Sequence, residues 1–128
     1  MRLLLDTHVL VWWFAGDLRV PQRLRDLVSV SDTVVHVSAA TAWELATKHR
    51  LGKLPEAALL VEGFFDFIDR CNFVRLPVTV EHGHRAGLLP GDHKDPFDRM
   101  LVAQALIEDL ELVTADPALA GLGARVMW

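Results

Sequence analysis

Leu3-Leu4-Leu5 is an unbroken apolar triplet that runs straight into an acid, Asp6. A strand with one wet face alternates apolar and polar residues, and this one does not. Arg2–Leu5 therefore reads as a strand buried on both sides.

The rest of the chain repeats that plan. Thr7–Phe14 and Pro21–Val30 read as helices, the second with Pro21 at its first helical position. The β-branched run Val34–Val37 reads as a second strand, and Ser38 is a plausible N-cap for the helix after it. In that helix Ala39, Ala42, Trp43 and Ala46 recur at i, i+3, i+4 and i+7, which marks them as its inward stripe. Glu56–Arg70 reads as one longer helix with Leu59, Leu60, Phe64 and Phe67 inward. A third strand at Phe73–Leu76 and a short helix near Val80–Leu88 follow. Asp95-Pro96-Phe97-Asp98 has the chemistry of a helix start, with Asp95 able to cap and Pro96 suited to the first turn, ahead of a helix over Phe97–Glu108. Leu112–Thr114 and Arg125–Trp128 close the chain as two more strands. Strands alternating with helices give an α/β class: one domain over residues 1–128, built on a mostly parallel sheet with helices on both faces.

Four acids fall where such a sheet gathers its ligands, outside the carboxyl ends of the strands. They are Asp6 after the first strand, Glu44 in the helix after the second, Asp98 at a helix start, and Asp116 just past Leu112–Thr114. Two carboxylates about 5 Å apart repel by roughly 3 kcal/mol at an effective dielectric near 20. Four together need a counterion, and hard oxygen donors select Mg²⁺ or Mn²⁺. Each acid also has a plainer reading. Asp6 could cap the helix after it, and Glu44 could pair with Lys48 one turn on. Asp98 could be a first-turn acid, and Asp116-Pro117 could be a turn. Their joint placement favours a shared cation. Asp95 competes with Asp98, but its capping role leaves Asp98 the better ligand.

A net charge of −4 argues against binding nucleic acid by bulk attraction. The one basic concentration is Lys48-His49-Arg50-Leu51-Gly52-Lys53 at a helix end, where it could equally complement the helix dipole. No apolar run is long enough to cross a membrane, and the start of the chain lacks a secretory cleavage pattern. Cys71 is alone and reads as a small buried hydrophobe, so a reducing cytoplasm is the expected setting. Trp12-Trp13-Phe14 reads either as core or as a partly exposed interface.

Four stretches, in order, resemble the motifs of the PIN-domain family: Leu4-Leu5-Asp6-Thr7-His8, Ser38 to Ala46, Asp95 to Ala105, and Leu112-Val113-Thr114-Ala115-Asp116. The likeness is greatest to its VapC type, the toxin half of bacterial toxin–antitoxin pairs. It implies about five parallel strands and a metal-binding quartet of Asp6, Glu44, Asp98 and Asp116 holding Mg²⁺ or Mn²⁺. It also implies an endoribonuclease acting on single-stranded RNA, a homodimer, and a cognate antitoxin that blocks the site. Thr7 and Thr114 match hydroxylic positions that orient water or carboxylates. His8 departs from the small polar residue common after Asp-Thr. Lys48, Arg50 and Arg99 are the candidate phosphate contacts.

Rival readings are weaker. His82-Gly83-His84 echoes a zinc-hydrolase motif, but residues two apart on a helix diverge. A metal-independent ribonuclease built on paired histidines would ignore chelators. A DNA-directed nuclease of the same architecture and a non-catalytic PIN-like binding module are the remaining alternatives.

Overall fold

In the computed structural model, which describes all residues from Met1 to Trp128, the first strand alternates its leucines between two cores. Leu3 and Leu5 enter one apolar cluster with Val9, Leu10, Leu24, Val35, Val37, Leu45, Leu60 and Ile68. Leu4 enters a second, with Leu101, Val102, Leu110, Leu112 and Leu119. Successive side chains of a strand point to opposite faces, so an all-apolar strand needs a core on each side. Each fully buried leucine contributes roughly 1.5–3 kcal/mol of transfer free energy.

Five strands make one sheet: β1 Arg2–Leu5, β2 Val34–Ser38, β3 Val74–Leu76, β4 Glu111–Val113 and β5 Val126–Met127. Their order is β3-β2-β1-β4-β5 and every pairing is parallel. β1 is central, with Leu4 opposite His36 on one side and Leu112 on the other. The helices are α1 Thr7–Ala15, α2 Gln22–Ser29, α3 Ala39–Arg50, α4 Ala58–Glu62, α5 Phe64–Arg70, α6 Val80–Leu88 and α7 Pro96–Glu108. The first core takes side chains from α1 to α5, and the second takes them from α6 and α7. No helix is long and apolar enough to cross a membrane.

Several expectations change in three dimensions. Pro21 is the N-cap of α2 rather than its first helical residue. The stretch expected as one helix over Glu56–Arg70 is a 3-10 turn at Pro55–Ala57 followed by α4 and α5, parted at Gly63. That break turns Leu59 outward, 70% exposed, while Leu60 and Phe64 are buried. The Ala39/Ala42/Trp43/Ala46 stripe is not the inward face of α3. Ala40, Thr41, Glu44 and Leu45 are buried, and Trp43 is 65% exposed against the edge of Phe97. With alanines all round α3, periodicity alone could not choose its buried side. Cys71 is half-buried rather than fully inside.

A carboxylate-rich cleft as the candidate functional site

The chain leaves β1 toward β2 and β3 on one side and returns to β4 and β5 on the other, so the strand order reverses between β1 and β4. Ligands of open α/β sheets bind in the crevice outside the strand ends at such a point. A cleft of about 400 Å³ lies there, lined by Asp6, His8, Trp12, Ala115, Asp116 and Pro117.

Asp6 follows β1 directly, its N–H donating to the Val113 carbonyl at 2.9 Å. Although it occupies the N-cap position of α1, its side chain makes no capping bond. Its Oδ2 instead accepts from Thr114 Oγ1 at 2.7 Å, and the residue is only 5% exposed. Thr114 Oγ1 also accepts from the Asp116 N–H at 3.0 Å, so one hydroxyl ties the ends of β1 and β4 together. Asp116 is exposed and caps the 3-10 turn Pro117–Leu122, with Oδ1 accepting from the Ala118 N–H at 2.9 Å. The turn reading and the cleft placement of Asp116 hold at once.

Glu44 is 3% exposed, yet its Oε2 meets Lys48 Nζ at 2.6 Å. The ion pair expected at the surface therefore exists, but with a buried acid. Thr7 and Thr41 hydroxyls, 3.1 Å apart, couple the start of α1 to α3. Ser38 caps α3 through the Ala40 N–H (2.9 Å) and donates to Gln104 Oε1 of α7 at 2.6 Å. Asp98 opens α7 behind the cap made by Asp95, whose Oδ1 accepts from the Phe97 and Asp98 N–H groups at 2.9 and 3.3 Å. His93 Nε2 donates to Asp98 Oδ2 at 2.8 Å.

Charges link these groups. Burial pushes the Asp6 carboxyl above its ordinary range, against the Thr114 bond, and the charge of Glu44 raises it further. Asp98 is raised too, first by burial, then by the charges of Asp95 and Asp6 despite the His93 bond. The ammonium of Lys48 is opposed by burial, but Glu44 and the charges of Asp95 and Asp98 outweigh that and raise its pKa.

Asp6, Glu44 and Asp98 therefore share one electrostatic neighbourhood, with Asp116 lining the same cleft as Asp6, without forming a finished cage. No three His, Cys, Asp or Glu side chains come together as a ready metal site. Each acid is instead met by its own donor: Thr114, Lys48, His93 or the Ala118 N–H. Like charges in a poorly solvated site separate toward whatever protons are near.

The phosphate-contact residues disperse. Lys48 is engaged by Glu44. Arg99 donates to the Ala86 and His93 carbonyls at 3.0 and 2.9 Å and to that of Leu89, so it braces the loop before α7 rather than facing solvent. Arg50 is exposed at the end of α3. The zinc motif has no counterpart. His82 is wholly buried, accepting the Thr79 N–H at Nδ1 (3.0 Å) and donating to Glu108 from Nε2 (3.0 Å), while His84 is exposed. His36, in β2, donates from Nδ1 to the Leu3 carbonyl at 2.9 Å. Sequence reasoning missed the His93–Asp98 bond and the Ser38–Gln104 tie. Their partners lie on other elements, and no local pattern announces them.

These shifts predict a pH dependence. Asp6 and Asp98 hold protons in the fold at pH values where the unfolded chain has released them, so stability falls as pH rises from about 4 through their raised pKa values. Asp17 acts oppositely: bonds from Arg19 hold it at about 2, and its contribution disappears only as pH falls from the ordinary carboxylate value toward that figure. In EDTA, Tm should fall more steeply as pH rises above about 4 in the wild type than in an Asp6→Asn, Asp98→Asn double variant, and identical pH profiles of the two would contradict the raised pKa values of these acids.

An all-parallel sheet with clustered acids at its switch point defines a class of α/β site for anionic ligands or for the cations that bind them. The PIN domain model matches residues 3–124, and the chain belongs to that family. It is 35% identical to Ribonuclease VapC16 of Mycobacterium tuberculosis over 75 residues, 53% of this chain and 52% of that protein. The chain thus spans about half the length of that curated relative. VapBC-1 from nontypeable Haemophilus influenzae superposes with a TM-score of 0.72 at 16% identity, covering 99% of this chain and 97% of that one. A toxin–antitoxin complex from Klebsiella pneumoniae does so with a TM-score of 0.62 at 19% identity, covering 98% and 95%.

Proposed function

We propose that this protein is an endoribonuclease that cuts single-stranded RNA with the help of Mg²⁺ or Mn²⁺, and that it is the toxin of a toxin–antitoxin pair. The observation that carries the reading is Asp6: a buried carboxylate at the β1–β4 switch point, sharing a cleft with Asp116 and feeling the charge of Glu44, while Asp98 feels its own. The partial match to Ribonuclease VapC16 supports the reaction, and the fold shared with a toxin–antitoxin complex supports an antitoxin partner. A homodimer and a cytoplasmic setting belong to the same reading.

The donor set suits a hard cation: carboxylate oxygens, two of them raised in pKa by burial, with no thiol among them. Asp6 and Asp98 would hold it, with Asp116 and Glu44 acting directly or through water. A bound divalent cation supplies charge against the phosphate and acidifies the attacking water. Glu44 or Asp116 orients that water or takes its proton. Thr114 keeps Asp6 aimed, Thr7 holds the start of α1 to α3, and Asp95 sets the first turn that presents Asp98. Lys48 and His93, which hydrogen-bond Glu44 and Asp98, would have to release them for these acids to reach an ion.

The test is end mapping on a mixed RNA pool. We expect cleavage with Mg²⁺ or Mn²⁺, none in EDTA, and 5′-phosphate and 3′-hydroxyl ends. The same cations should raise Tm, and by more in the wild type than in Asp6→Asn, because they bind the carboxylates whose charged form burial disfavours. A second reading, a PIN-like binding module without catalysis, is favoured by one fact: every acid already has a protein donor. Binding of RNA without cleavage, and no response of Tm to either cation, would select it. Cleavage of DNA in preference to RNA would assign the site to a DNA nuclease.

A further inference from the structure

The cleft at the switch point has two chemically different walls. Asp6 and Asp116 form one, and Trp12 and His8 contribute the other. His8 and Trp12 stand one turn apart on α1, with ring centroids 6.2 Å apart. Trp12 is half-buried and doubly braced. Trp128 packs against it at 5.6 Å, and the Arg19 guanidinium lies 4.4 Å from its ring centroid. Arg19 is itself held by Asp17 at 2.7 Å, so its charge stays beside the indole. The result is an aromatic wall of two rings inclined at 47° to each other, in the same cleft as Asp6 and Asp116, with Arg19 over the Trp12 ring.

That combination selects a ligand. A phosphate group is repelled by the carboxylates unless a cation intervenes, and a simple aliphatic chain makes no use of the indole and imidazole π faces. A nucleobase is neutral, flat and aromatic, and stacking on an aromatic side chain binds any base with little regard to sequence. We propose that the Trp12–His8 wall is a nucleobase subsite, on which one unpaired base of the substrate strand stacks and thereby sets a neighbouring phosphodiester beside Asp6 and Asp116. The inference rests on the nuclease reading above and adds to it a physical source of single-strand selectivity. A base held in a duplex stack cannot reach the wall without leaving that stack.

The test is an abasic scan. Short fluorescent oligoribonucleotides, each lacking one base, are titrated in Ca²⁺ against the wild type, Trp12→Phe and Trp12→Leu, all checked for folding by melting. For the wild type, one abasic position should weaken binding about 5- to 150-fold, the range that stacking of a single base gives. Trp12→Leu should lose a similar factor on the intact strand and show no further loss at that position, since protein and ligand then lack the same contact. Trp12→Phe should keep most of the affinity. The same scan on deoxy strands identifies which nucleic acid supplies the base. An abasic penalty as large in Trp12→Leu as in the wild type overturns the subsite while leaving the nuclease reading intact. A folded wild type that binds neither strand overturns both.

Discussion

Replacing Asp6 with Asn is expected to remove at least about 100-fold of the cleavage activity, because substitutions merely next to metal ligands already cost 10- to 100-fold. The fold should meanwhile become as stable as the wild type or more so. Burial raises the pKa of the Asp6 carboxyl and disfavours its charged form, whereas the amide carries no charge to desolvate. The carboxamide oxygen can still accept from Thr114 Oγ1, so no buried hydroxyl is orphaned. Alanine would be a poorer choice, since it leaves that hydroxyl unmatched. RNA cleavage rates and urea melts on the same preparation check both halves. Normal cleavage by Asp6→Asn would end the metal-dependent mechanism, and a sharp loss of stability would mean that Asp6 is a structural residue. Opposite effects on activity and stability are the mark of a group kept for its chemistry.

Leu4→Ala should have the largest effect on the fold. Leu4 is completely buried in the central strand and anchors the second core against Leu101, Leu112 and Leu119. Truncating a buried leucine costs about 2–5 kcal/mol, depending on how far the cavity collapses. Leu4 shares its cluster with Leu101, Val102 and Ala103 of α7 and with Leu119 and Leu122 of the Pro117–Leu122 turn, and close-packed interiors collapse little, so the upper half of that range is expected. Against a total stability of roughly 5–15 kcal/mol, that is a large fraction. Urea unfolding should show a lower midpoint with an unchanged slope. Leu18→Ala is the control: Leu18 is 95% exposed, and its truncation should stay within about 0.5 kcal/mol. A Leu4→Ala loss no larger than that of Leu18→Ala would contradict the two-core architecture.

Much of this molecule was legible before any coordinates. Leu3-Leu4-Leu5 demanded two covered faces, and both cores are there. Asp95-Pro96 announced the start of α7, where Asp95 is indeed the cap. The alternation of runs and helical patterns implied a mostly parallel sheet of about five strands, and it is wholly parallel. These signals are local: a period, a cap or a fixed φ is decided within a few residues.

What stayed hidden depended on how separate elements and loops meet in space, whether their partners are near or far along the chain. Which side of α3 is buried followed from its docking against α1 and α7, and it placed Glu44 inside and Trp43 outside. Arg99 looked like a phosphate contact until its donors were traced to three carbonyls of the preceding helix and loop. The bond from His93 to Asp98 had no pattern to announce it, and it lies in a loop whose backbone Arg99 also binds, through the His93 carbonyl. The sequence by itself determined the layering and the alternation of strands with helices, because apolar periodicity and helix-end chemistry act over neighbouring residues. The sheet order β3-β2-β1-β4-β5 came only with the tertiary structure. Only the tertiary structure decided which charges meet, because ion pairing and burial depend on separations in space that residue numbers do not encode.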